Sequence, residues 1–304
     1  MMTGKTVIGI ATGGRHEELR RLLDALAADY GYREDVYLLV VDNSADAGSR
    51  SVFDECSVGF GERCLYVHEP KRGYAAARNA VIRNVDGARA LALIDDDEVP
   101  ESGWLDSLLE AQRRTGADVV AGPVISIYPP GVPDWYEKSG VFTMEAPDFP
   151  EGHEMPWCAT NNTLITPRVL EAVPEGFDDR FNTMSGEDSH FFLLARLRGC
   201  RLVWTRTAVV REYLQLARFN RRWIFKRAMR SGNTRALIER QLIGGARITL
   251  VRGFKAAGLL VLGSASAIVA AVRRDRALSL RAIHRIGLGC GMVLAFVFSD
   301  PWKP

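Results

Sequence analysis

Four adjacent acidic residues, Asp95 to Glu98, are the strongest chemical signal in the sequence, and they directly follow the apolar run Ala90–Ile94. Adjacent carboxylates repel one another, so some become protonated unless a cation neutralises them. Carboxylate oxygens are the hard ligands that Mg²⁺ and Mn²⁺ bind, and these ions keep coordination positions open for substrate phosphates. Because successive side chains diverge, two of the four are expected to reach one ion. The alternative is a solvated acidic turn that favours the N-terminus of the next helix.

Two other carboxylate positions could carry chemistry. Asp42 follows the apolar run Tyr37–Val41, where a carboxylate can accept hydrogen bonds from a nucleobase or a ribose. The alternative is an Asx-type turn at that position. Asp188, next to Glu187, opens a segment rich in Phe and Leu and could act as a general base. The alternative is that acids in a first helical turn simply favour the helix dipole.

Positive charge is supplied by two segments. Gly73 allows a tight entry into an alanine-rich helix, and Arg78 follows near its N-terminus, where anions are favoured. Trp223 and Arg227 share one helical face with Arg230, and such a face can pair with a diphosphate or with lipid head groups. The alternatives are a well-packed helix with a surface arginine and a solvated basic helix.

The elements around these residues alternate between strands and helices. Strands are predicted at 7–11, 37–41, 65–67, 90–94, 119–121 and near 201–204, and helices at 17–28, 74–84, 104–114 and 187–198. This alternation predicts an α/β fold with a mostly parallel sheet and helices on both of its faces. In such sheets ligands bind beyond the carboxyl ends of the strands, where the acidic run and Asp42 lie. Seven prolines between Gly122 and Trp157 predict irregular loops there.

The overall composition is that of a globular protein, with 304 residues, 47% of them hydrophobic and 25% charged. This excludes collagenous and wholly disordered chains. The five cysteines are scattered and form no CxxC pair, which disfavours a structural zinc site and a disulfide scaffold. A reducing, cytoplasmic compartment is the simplest interpretation.

Charge is strongly segregated along the chain. The segment from Arg218 to Arg285 contains sixteen Lys or Arg and two acids, about +14, which leaves about −12 for the rest. An anionic membrane surface is the expected partner of the basic segment, and the acidic remainder argues against nucleic acid. We therefore predict two regions, a catalytic domain at 1–217 and a basic helical region at 218–304.

Two uncharged runs, Ala256–Val272 and Ile286–Phe298, lie in this basic region. The first is at the lower limit for a membrane-spanning helix, and basic residues flank both of its ends. We expect a shallow or in-plane association with the membrane. The alternative is a buried pair of helices that forms a small core or an oligomer contact.

Taken together, the order and spacing of these motifs resemble family 2 glycosyltransferases, which have the Rossmann-like GT-A fold. The resemblance extends from about Thr6 to Gly232. It is carried by VVDNS at 40–44, RGYAAARNA at 72–80, LIDDDEVPESGWL at 93–105, NNTLITPRVL at 161–170, GFDDRF at 176–181 and GEDSHFFLLARLRG at 186–199.

The resemblance implies inverting, hexosyltransferase-like transfer of a sugar from a nucleoside-diphosphate sugar, with a UDP-sugar favoured, assisted by Mn²⁺ or Mg²⁺. Asp188 then corresponds to the catalytic base, with Glu187 beside it. Asp97 corresponds to the direct metal ligand together with Asp95. Residues implied on the donor side are Thr12, Asp42, Gly73, Arg78, Asp95, Asp96, Trp223 and Arg227, with Asp96 facing the sugar or ribose.

The sequence departs from the family pattern at two places. The first strand ends in Ala11-Thr12-Gly13-Gly14 where the family often has Pro-Thr-Tyr-Asn, and Arg211-Glu212 occupy a region where the family often has a histidine. A third protein ligand for the metal is therefore not predicted.

The expected acceptor is a saccharide, most simply a lipid-linked one, used at the cytoplasmic face of the cell membrane. Two alternatives stay open. One is a non-catalytic membrane-bound module that binds sugar nucleotides. The other is a sugar nucleotidyltransferase, which is disfavoured because no glycine-rich, basic triphosphate loop follows the first strand.

Overall fold

A computed structural model describes residues 2–143, 149–183 and 186–297. The chain divides into two compact units, the first made of residues 1–125, 146–182 and 187–212 and the second of residues 126–145, 183–186 and 213–304. The predicted boundary after residue 217 differs from this division. The second unit includes the earlier segment 126–145 because aromatic side chains from it pack with residues that follow 213.

Ten strands lie in the described residues: β1 (Thr6–Thr12), β2 (Val36–Asp42), β3 (Cys64–His68), β4 (Ala90–Asp95), β5 (Glu98–Pro100), β6 (Val119–Ala121), β7 (Val124–Ile127), β8 (Asn162–Ile165), β9 (Leu202–Trp204) and β10 (Val210–Tyr213). Seven of them form one sheet in the order β3-β2-β1-β4-β8-β6-β9. All neighbours in that sheet are parallel except β8, which is antiparallel to β4 and β6. In addition, β5 pairs antiparallel with β10.

The same residues contain ten α-helices: α1 (His16–Tyr30), α2 (Arg50–Cys56), α3 (Tyr74–Arg83), α4 (Trp104–Thr115), α5 (Trp135–Ser139), α6 (Pro167–Ala172), α7 (Glu187–Leu197), α8 (Arg221–Leu242), α9 (Gly245–Arg273) and α10 (Arg276–Val297). The predicted α/β class with a mostly parallel sheet is confirmed. The apolar helical region at the C-terminus is also confirmed.

The sheet is buried on both faces because helices cover each of them, and consecutive side chains of a strand point to opposite faces. Ile8 and Ile10 of β1 pack in a core that contains the leucines of α1 and Trp104 of α4. Val7, on the other face, belongs to a second core with residues of α3 and α7. Continuous apolar strands are typical of a sheet covered on both sides. This two-sided core fixes the strand ends that carry the acidic and polar groups.

In the second unit, α10 packs along both α8 and α9. Glycines make the close approach possible. A Cβ atom at Gly291 would overlap the carbonyl oxygen of Met229 in α8, and one at Gly289 would lie 2.8 Å from the Leu260 side chain of α9. The two apolar runs thus contact each other, as in the alternative interpretation, but the large side chains of the first run, such as Val261 and Ile268, are exposed and not buried. Phe298, the last residue of the second run, lies outside the described residues.

The contact between α8 and α10 leaves no space for a side chain at Gly291. Gly291→Ala is expected to lower the free energy of unfolding by about 1–3 kcal/mol, because the added methyl group has no space against Met229. Gly258→Ala in α9 is the matched control, because nothing lies within 4 Å of its added Cβ. That control should gain up to about 1 kcal/mol of helix propensity. Denaturant unfolding of both variants measures the difference, and equal effects would contradict the close packing.

Candidate active site

The carboxyl ends of three adjacent strands bring the predicted polar residues together. Thr12 at the end of β1 lies opposite Asp42 at the end of β2, and Ala11 lies opposite Asp95 at the end of β4. This register is imposed by the buried strands, whose apolar residues would lose their places in the two cores if a strand slipped. The sheet therefore places Thr12, Asp42 and the acidic run at one edge, as the strand pattern predicted.

Asp96 and Asp97 lie in the short turn between β4 and β5 and are both paired with an arginine. Asp96 is fully buried and accepts a hydrogen bond from Thr12 Oγ1 at 2.7 Å. Arg15 pairs with Asp96 through Nη2 and with Asp97 through Nη1, the latter at 2.5 Å. Thr12 and Arg15 thus contact the oxygens of Asp96 in this structure, and contact of Asp96 with the sugar or ribose of a donor stays a prediction.

Arg15 is a site residue that the sequence motifs do not reveal. It follows Gly13 and Gly14 at the exit of β1, and its partners lie 81 and 82 residues further along the chain. Pairing over such a separation depends on the tertiary fold. The available signal is an arginine three residues beyond the end of β1, next to a strand, β4, whose end begins a run of four acids.

Arg78 of α3 connects the acidic run to α7. Its Nη1 is 2.5 Å from Glu187 Oε1, its Nε donates to Thr160 Oγ1 at 2.7 Å, and its Nη2 is 3.4 Å from Asp95 Oδ1. Glu187 is buried. Glu187 therefore acts in this structure as the partner of Arg78, which orients the first turn of α7, where Asp188 lies.

Burial and mutual repulsion together raise the pKa of several carboxyl groups in this site. Burial raises the pKa of Asp96 to about 6, even though Arg15 and Thr12 oppose the change. Burial also raises the pKa of Asp95 and of Glu98, with repulsion from Asp97 added in both cases. Arg15 and Arg78 thus offset the effect of burial and repulsion on Asp95 and Asp96 only in part.

This donor set fits a divalent cation. Carboxylate oxygens are the ligands of Mg²⁺ and Mn²⁺, and a cation would relieve the repulsion that raises these pKa values. Asp95 and Asp97 are the residues predicted to bind it, and this ligand pair stays a prediction. Within residues 2–143, 149–183 and 186–297, no group of three or more His, Cys, Asp and Glu side chains has the arrangement of a metal site. Mg²⁺ commonly takes only one or two protein carboxylates and completes its shell with substrate phosphates and water.

The strand that could have supplied a third ligand has another arrangement. Arg211 of β10 pairs with Glu101 at 2.6 Å, and Glu212 lies opposite Glu98 in the β5–β10 pairing. Repulsion from Glu212 contributes to the raised pKa of Glu98, after burial and the nearer aspartates. Glu212 therefore adds negative charge next to Glu98, whereas Arg211 is neutralised by Glu101.

Asp42 is fully buried and accepts three hydrogen bonds. The donors are Tyr66 Oη at 2.7 Å and the backbone N–H groups of Ser44 and Ser49 at 2.8 and 2.9 Å. Burial alone would raise the pKa of Asp42, but these hydrogen bonds lower it below its ordinary value. The bond to Ser44 is the Asx-type turn that the alternative interpretation predicted. Contact with a base or ribose stays a prediction.

Gly73 is required for the loop that precedes α3. Its φ of 142° is in the region that favours glycine, and a Cβ there would overlap the Asn182 side chain. Asn182 Oδ1 accepts from Ala76 N at 2.8 Å, and Gly73 N donates to Asn43 Oδ1 at 2.9 Å. The predicted tight entry is therefore present, and it positions the helix that carries Arg78.

Trp223 and Arg227 lie in the second unit, in the first two turns of α8. The Arg227 guanidinium lies 5.4 Å from the centre of the Trp223 ring, and that ring stacks on Phe142 at 5.9 Å. Their predicted shared helical face is consistent with this contact. Their contact with a diphosphate or an acceptor stays a prediction.

Comparison with known proteins decides the family. The profile of Glycosyl transferase family 2 matches residues 7–173, more than half of the chain. The succinoglycan biosynthesis protein ExoM of Rhizobium meliloti is 30% identical over 289 residues, which are 94% of this chain and 92% of that protein. The chain is a family 2 glycosyltransferase. Glycosyltransferase AglE of Haloferax volcanii is 30% identical over a shorter stretch of 115 residues, 38% of each chain.

Solved structures support the fold of this family 2 glycosyltransferase. The mannosyltransferase PcManGT of Pyrobaculum calidifontis, in complex with GDP-Man and Mn²⁺, has a TM-score of 0.63 at 18% identity and covers 98% of this chain and 87% of its own. GalNAc-T7 with UDP, GalNAc and Mn²⁺ has a TM-score of 0.55 at 12% identity, over 73% of this chain and 47% of its own. The predicted GT-A fold is confirmed. Family membership confirms the predicted enzyme class, a glycosyltransferase that uses nucleotide sugars.

The lowered pKa of Asp42 leads to a prediction about stability and pH. An ionised Asp42 stabilises the fold fully above the unfolded pKa of about 4, and this stabilisation is lost as the pH falls through the lower folded pKa. Asp42→Asn should therefore cost about 2 kcal/mol of unfolding free energy at pH 7, and the difference from wild type should shrink below pH ~4. Asp46→Asn, an exposed position in the same loop, is the control and should change little at either pH. A pH-independent effect of Asp42→Asn in urea unfolding would contradict this assignment.

Proposed function

We propose that this family 2 glycosyltransferase transfers a sugar, with inversion at the anomeric carbon, from a nucleoside-diphosphate sugar to a hydroxyl of a growing polysaccharide, with help from Mn²⁺ or Mg²⁺. The observation that carries the proposal is the buried carboxylate cluster at the carboxyl ends of β1, β2 and β4. Asp188 lies in the first turn of α7 and interacts electrostatically with Asp95 of this cluster and with Arg78.

Asp188 is the proposed general base. It accepts the proton of the acceptor hydroxyl while the acceptor oxygen bonds to the anomeric carbon. The bond between that carbon and the diphosphate oxygen breaks, and the electron pair leaves with the diphosphate. A single carboxylate suffices for direct displacement with inversion. A retaining route through a covalent intermediate needs a second carboxylate on the opposite face of the sugar, and buried Glu187, paired with Arg78, is unsuited to that role.

The chain's other residues prepare this step. Asp97 and Asp95 would hold the divalent ion, which when bound supplies positive charge for the leaving diphosphate. The ion pair between Arg78 and Glu187 holds the first turn of α7 in place, and Asp188 lies in that turn. Thr12, Asp42 and Asp96 lie at or next to the strand ends against which the nucleotide is proposed to bind, and Gly73 opens the helix α3 beside them.

The proposed donor is a nucleotide sugar, and the relatives support two bases. PcManGT was solved with GDP-Man and GalNAc-T7 with UDP. A UDP-sugar is favoured from the family resemblance, and GDP-mannose is the alternative. Thermal shift with UDP and GDP, each with and without Mn²⁺, discriminates between them, because a ligand that binds the folded state raises the melting temperature.

Two conservative substitutions test the assigned roles. Asp188→Asn should lower transfer by about 10²-fold or more and still bind nucleotide with Mn²⁺, because only the proton acceptor is lost. Asp97→Asn should lower transfer and also abolish the Mn²⁺-dependent part of the nucleotide thermal shift. Asp86→Asn, at an exposed position away from the acidic run, is the control and should do neither. Normal turnover by Asp188→Asn would remove this residue from the mechanism.

We also propose that the second unit binds an anionic membrane surface at the cytoplasmic face, where a lipid-linked acceptor would be found. Both α9 and α10 are long and apolar enough to cross a membrane by length and composition. Eight exposed apolar residues of α9 lie within an arc of about 120° on a helix of 3.6 residues per turn. They are Leu250, Val251, Phe254, Val261, Leu262, Ile268, Val269 and Val272.

An in-plane position suits this helix better than a spanning one. The apolar stripe extends about 33 Å along α9, and Arg247 and Lys255 near one end and Arg273 and Arg274 at the other can contact anionic head groups. In addition, α10 packs along α8, which carries seven Lys or Arg residues. A spanning α10 would take several of these charges into the hydrocarbon region, which is costly.

Vesicle flotation tests this orientation. The double variant Phe254→Ser and Ile268→Ser should lose binding to vesicles that contain phosphatidylglycerol, because two exposed apolar anchors of α9 are removed. The matched control replaces Tyr32 and Val58, which are 77% and 75% exposed in the first unit, with serine. Unchanged flotation by the α9 variant would contradict the proposal. If the wild-type chain sediments as a dimer and the α9 variant as a monomer, the stripe instead binds a second copy of the chain.

A further inference from the structure

The guanidinium of Arg15 lies on the carboxylates that are proposed to receive the metal. Arg15 Nη1 contacts Asp97 Oδ2 at 2.5 Å, and Nη2 pairs with Asp96. Attraction from Asp96, Asp97 and Asp95 outweighs burial and raises the pKa of Arg15, so this cation is permanent. The protein therefore already neutralises part of its acidic run with a side chain of its own.

A divalent ion at Asp97 would compete with this arginine. Mg²⁺ binds carboxylate oxygens at about 2.0–2.1 Å, whereas Arg15 now occupies one of the two Asp97 oxygens. Two cations on one carboxylate repel each other strongly in a partly buried site, since the Coulomb energy scales inversely with distance and dielectric constant. Binding of the ion is thus coupled to the position of the Arg15 guanidinium.

We propose that Arg15 is an internal counter-ion that exchanges partners during donor binding. The Arg15 guanidinium leaves Asp97 when the divalent ion binds there. It stays at the carboxyl edge of the sheet and pairs with the donor's diphosphate. The inference rests on the proposed function, because the diphosphate is the anion that the reaction brings to this edge. A guanidinium suits the exchange, since its planar fork binds a carboxylate or a phosphate in two parallel hydrogen bonds.

The local structure gives Arg15 room to move. Its side chain is 36% exposed, in contrast to 0% for Asp96 and 6% for Asp97. Gly13 and Gly14 precede it, and nothing lies within 4 Å of a Cβ added at Gly13. Its side chain does not cap the helix α1 that it precedes. The two aspartates are therefore the fixed partners in this ion pair and the arginine is the adjustable one.

Exchange of partners makes metal and nucleotide binding cooperative. Without a diphosphate, the ion must displace Arg15 into solvent, so the metal alone binds weakly. With a diphosphate, the displaced guanidinium gains a new partner, so each ligand tightens the other by the same factor, as linkage requires. Removal of the guanidinium should strengthen binding of the metal alone and weaken the coupling. If Arg15 only contributed positive charge to the site, its removal would strengthen binding of the metal alone but would not weaken the coupling.

The experiment measures free Mn²⁺ by electron paramagnetic resonance during titration of the full chain, alone and with saturating UDP or GDP. For wild type we expect at least about tenfold tighter Mn²⁺ binding with the nucleotide, within the usual range of coupling. Arg15→Met, which keeps the length and removes the charge, should bind Mn²⁺ alone about tenfold more tightly and show coupling reduced to about twofold or less. Arg15→Lys, which keeps the charge without the fork, should retain the weak binding of the metal alone.

Arg33→Met is the matched control, because Arg33 also bridges two aspartates, Asp35 and Asp106, at distances of 3.0 and 2.8 Å. It should leave both affinities unchanged. Tighter Mn²⁺ binding by Arg15→Met with undiminished coupling, or no tightening at all, would overturn the exchange while leaving the proposed function intact. Absence of Mn²⁺ binding by wild type with either nucleotide would instead overturn the proposed metal dependence and the inference with it. If Arg15→Met does not fold, loss of coupling in Arg15→Lys with its retained charge still supports the exchange, and full coupling contradicts it.

Discussion

Burial of carboxylates at the ends of parallel strands is the constraint on which the site depends. The two cores on either side of the sheet bring the ends of β1, β2 and β4 to one edge, and the acidic run comes with them. Carboxylates in such a place are costly unless cations or hydrogen bonds compensate them. The burial of these carboxylates is compensated in part by Arg15, Arg78 and Thr12. The pKa values of Asp95 and Asp96 are nevertheless raised, so the compensation is incomplete. A site that is incomplete in this way is suited to receive a cation with its substrate.

The acidic residues of the site differ in burial and in their ion-pair partners. Asp96 and Glu187 are buried and paired, so they define where their neighbours lie. Asp95 is partly exposed, and Asp97 shares its partner with Asp96. Neighbouring carboxylates in the DDDE and GED motifs therefore differ in role because they differ in burial and partner. A single substitution within either motif can affect positioning, metal binding or proton transfer, and only separate measurements of binding and turnover distinguish these effects.

The second unit follows a different packing rule. Its helices approach through glycines at the α8–α10 and α9–α10 contacts, where a larger side chain would overlap the facing helix. The apolar residues that are not used in these contacts are collected on one side of α9. Small residues thus lie at the contacts between the helices, and large apolar residues of α9 lie on its exposed side.

The sequence by itself determined the α/β class, the strand ends at which polar residues gather, and the family, because these depend on local periodicity and on motifs of contiguous residues. Arg78 and Asp95 could be named as site residues from such motifs, but their mutual contact and the pairing of Arg78 with Glu187 could not. Only the tertiary structure decided that Arg15 pairs with Asp97, that Asp96 is buried, and that aromatic residues between Tyr128 and Phe142 pack with residues of the C-terminal helices. Those features result from contacts between residues far apart in the chain, and no local pattern encodes which distant charge or ring will meet which.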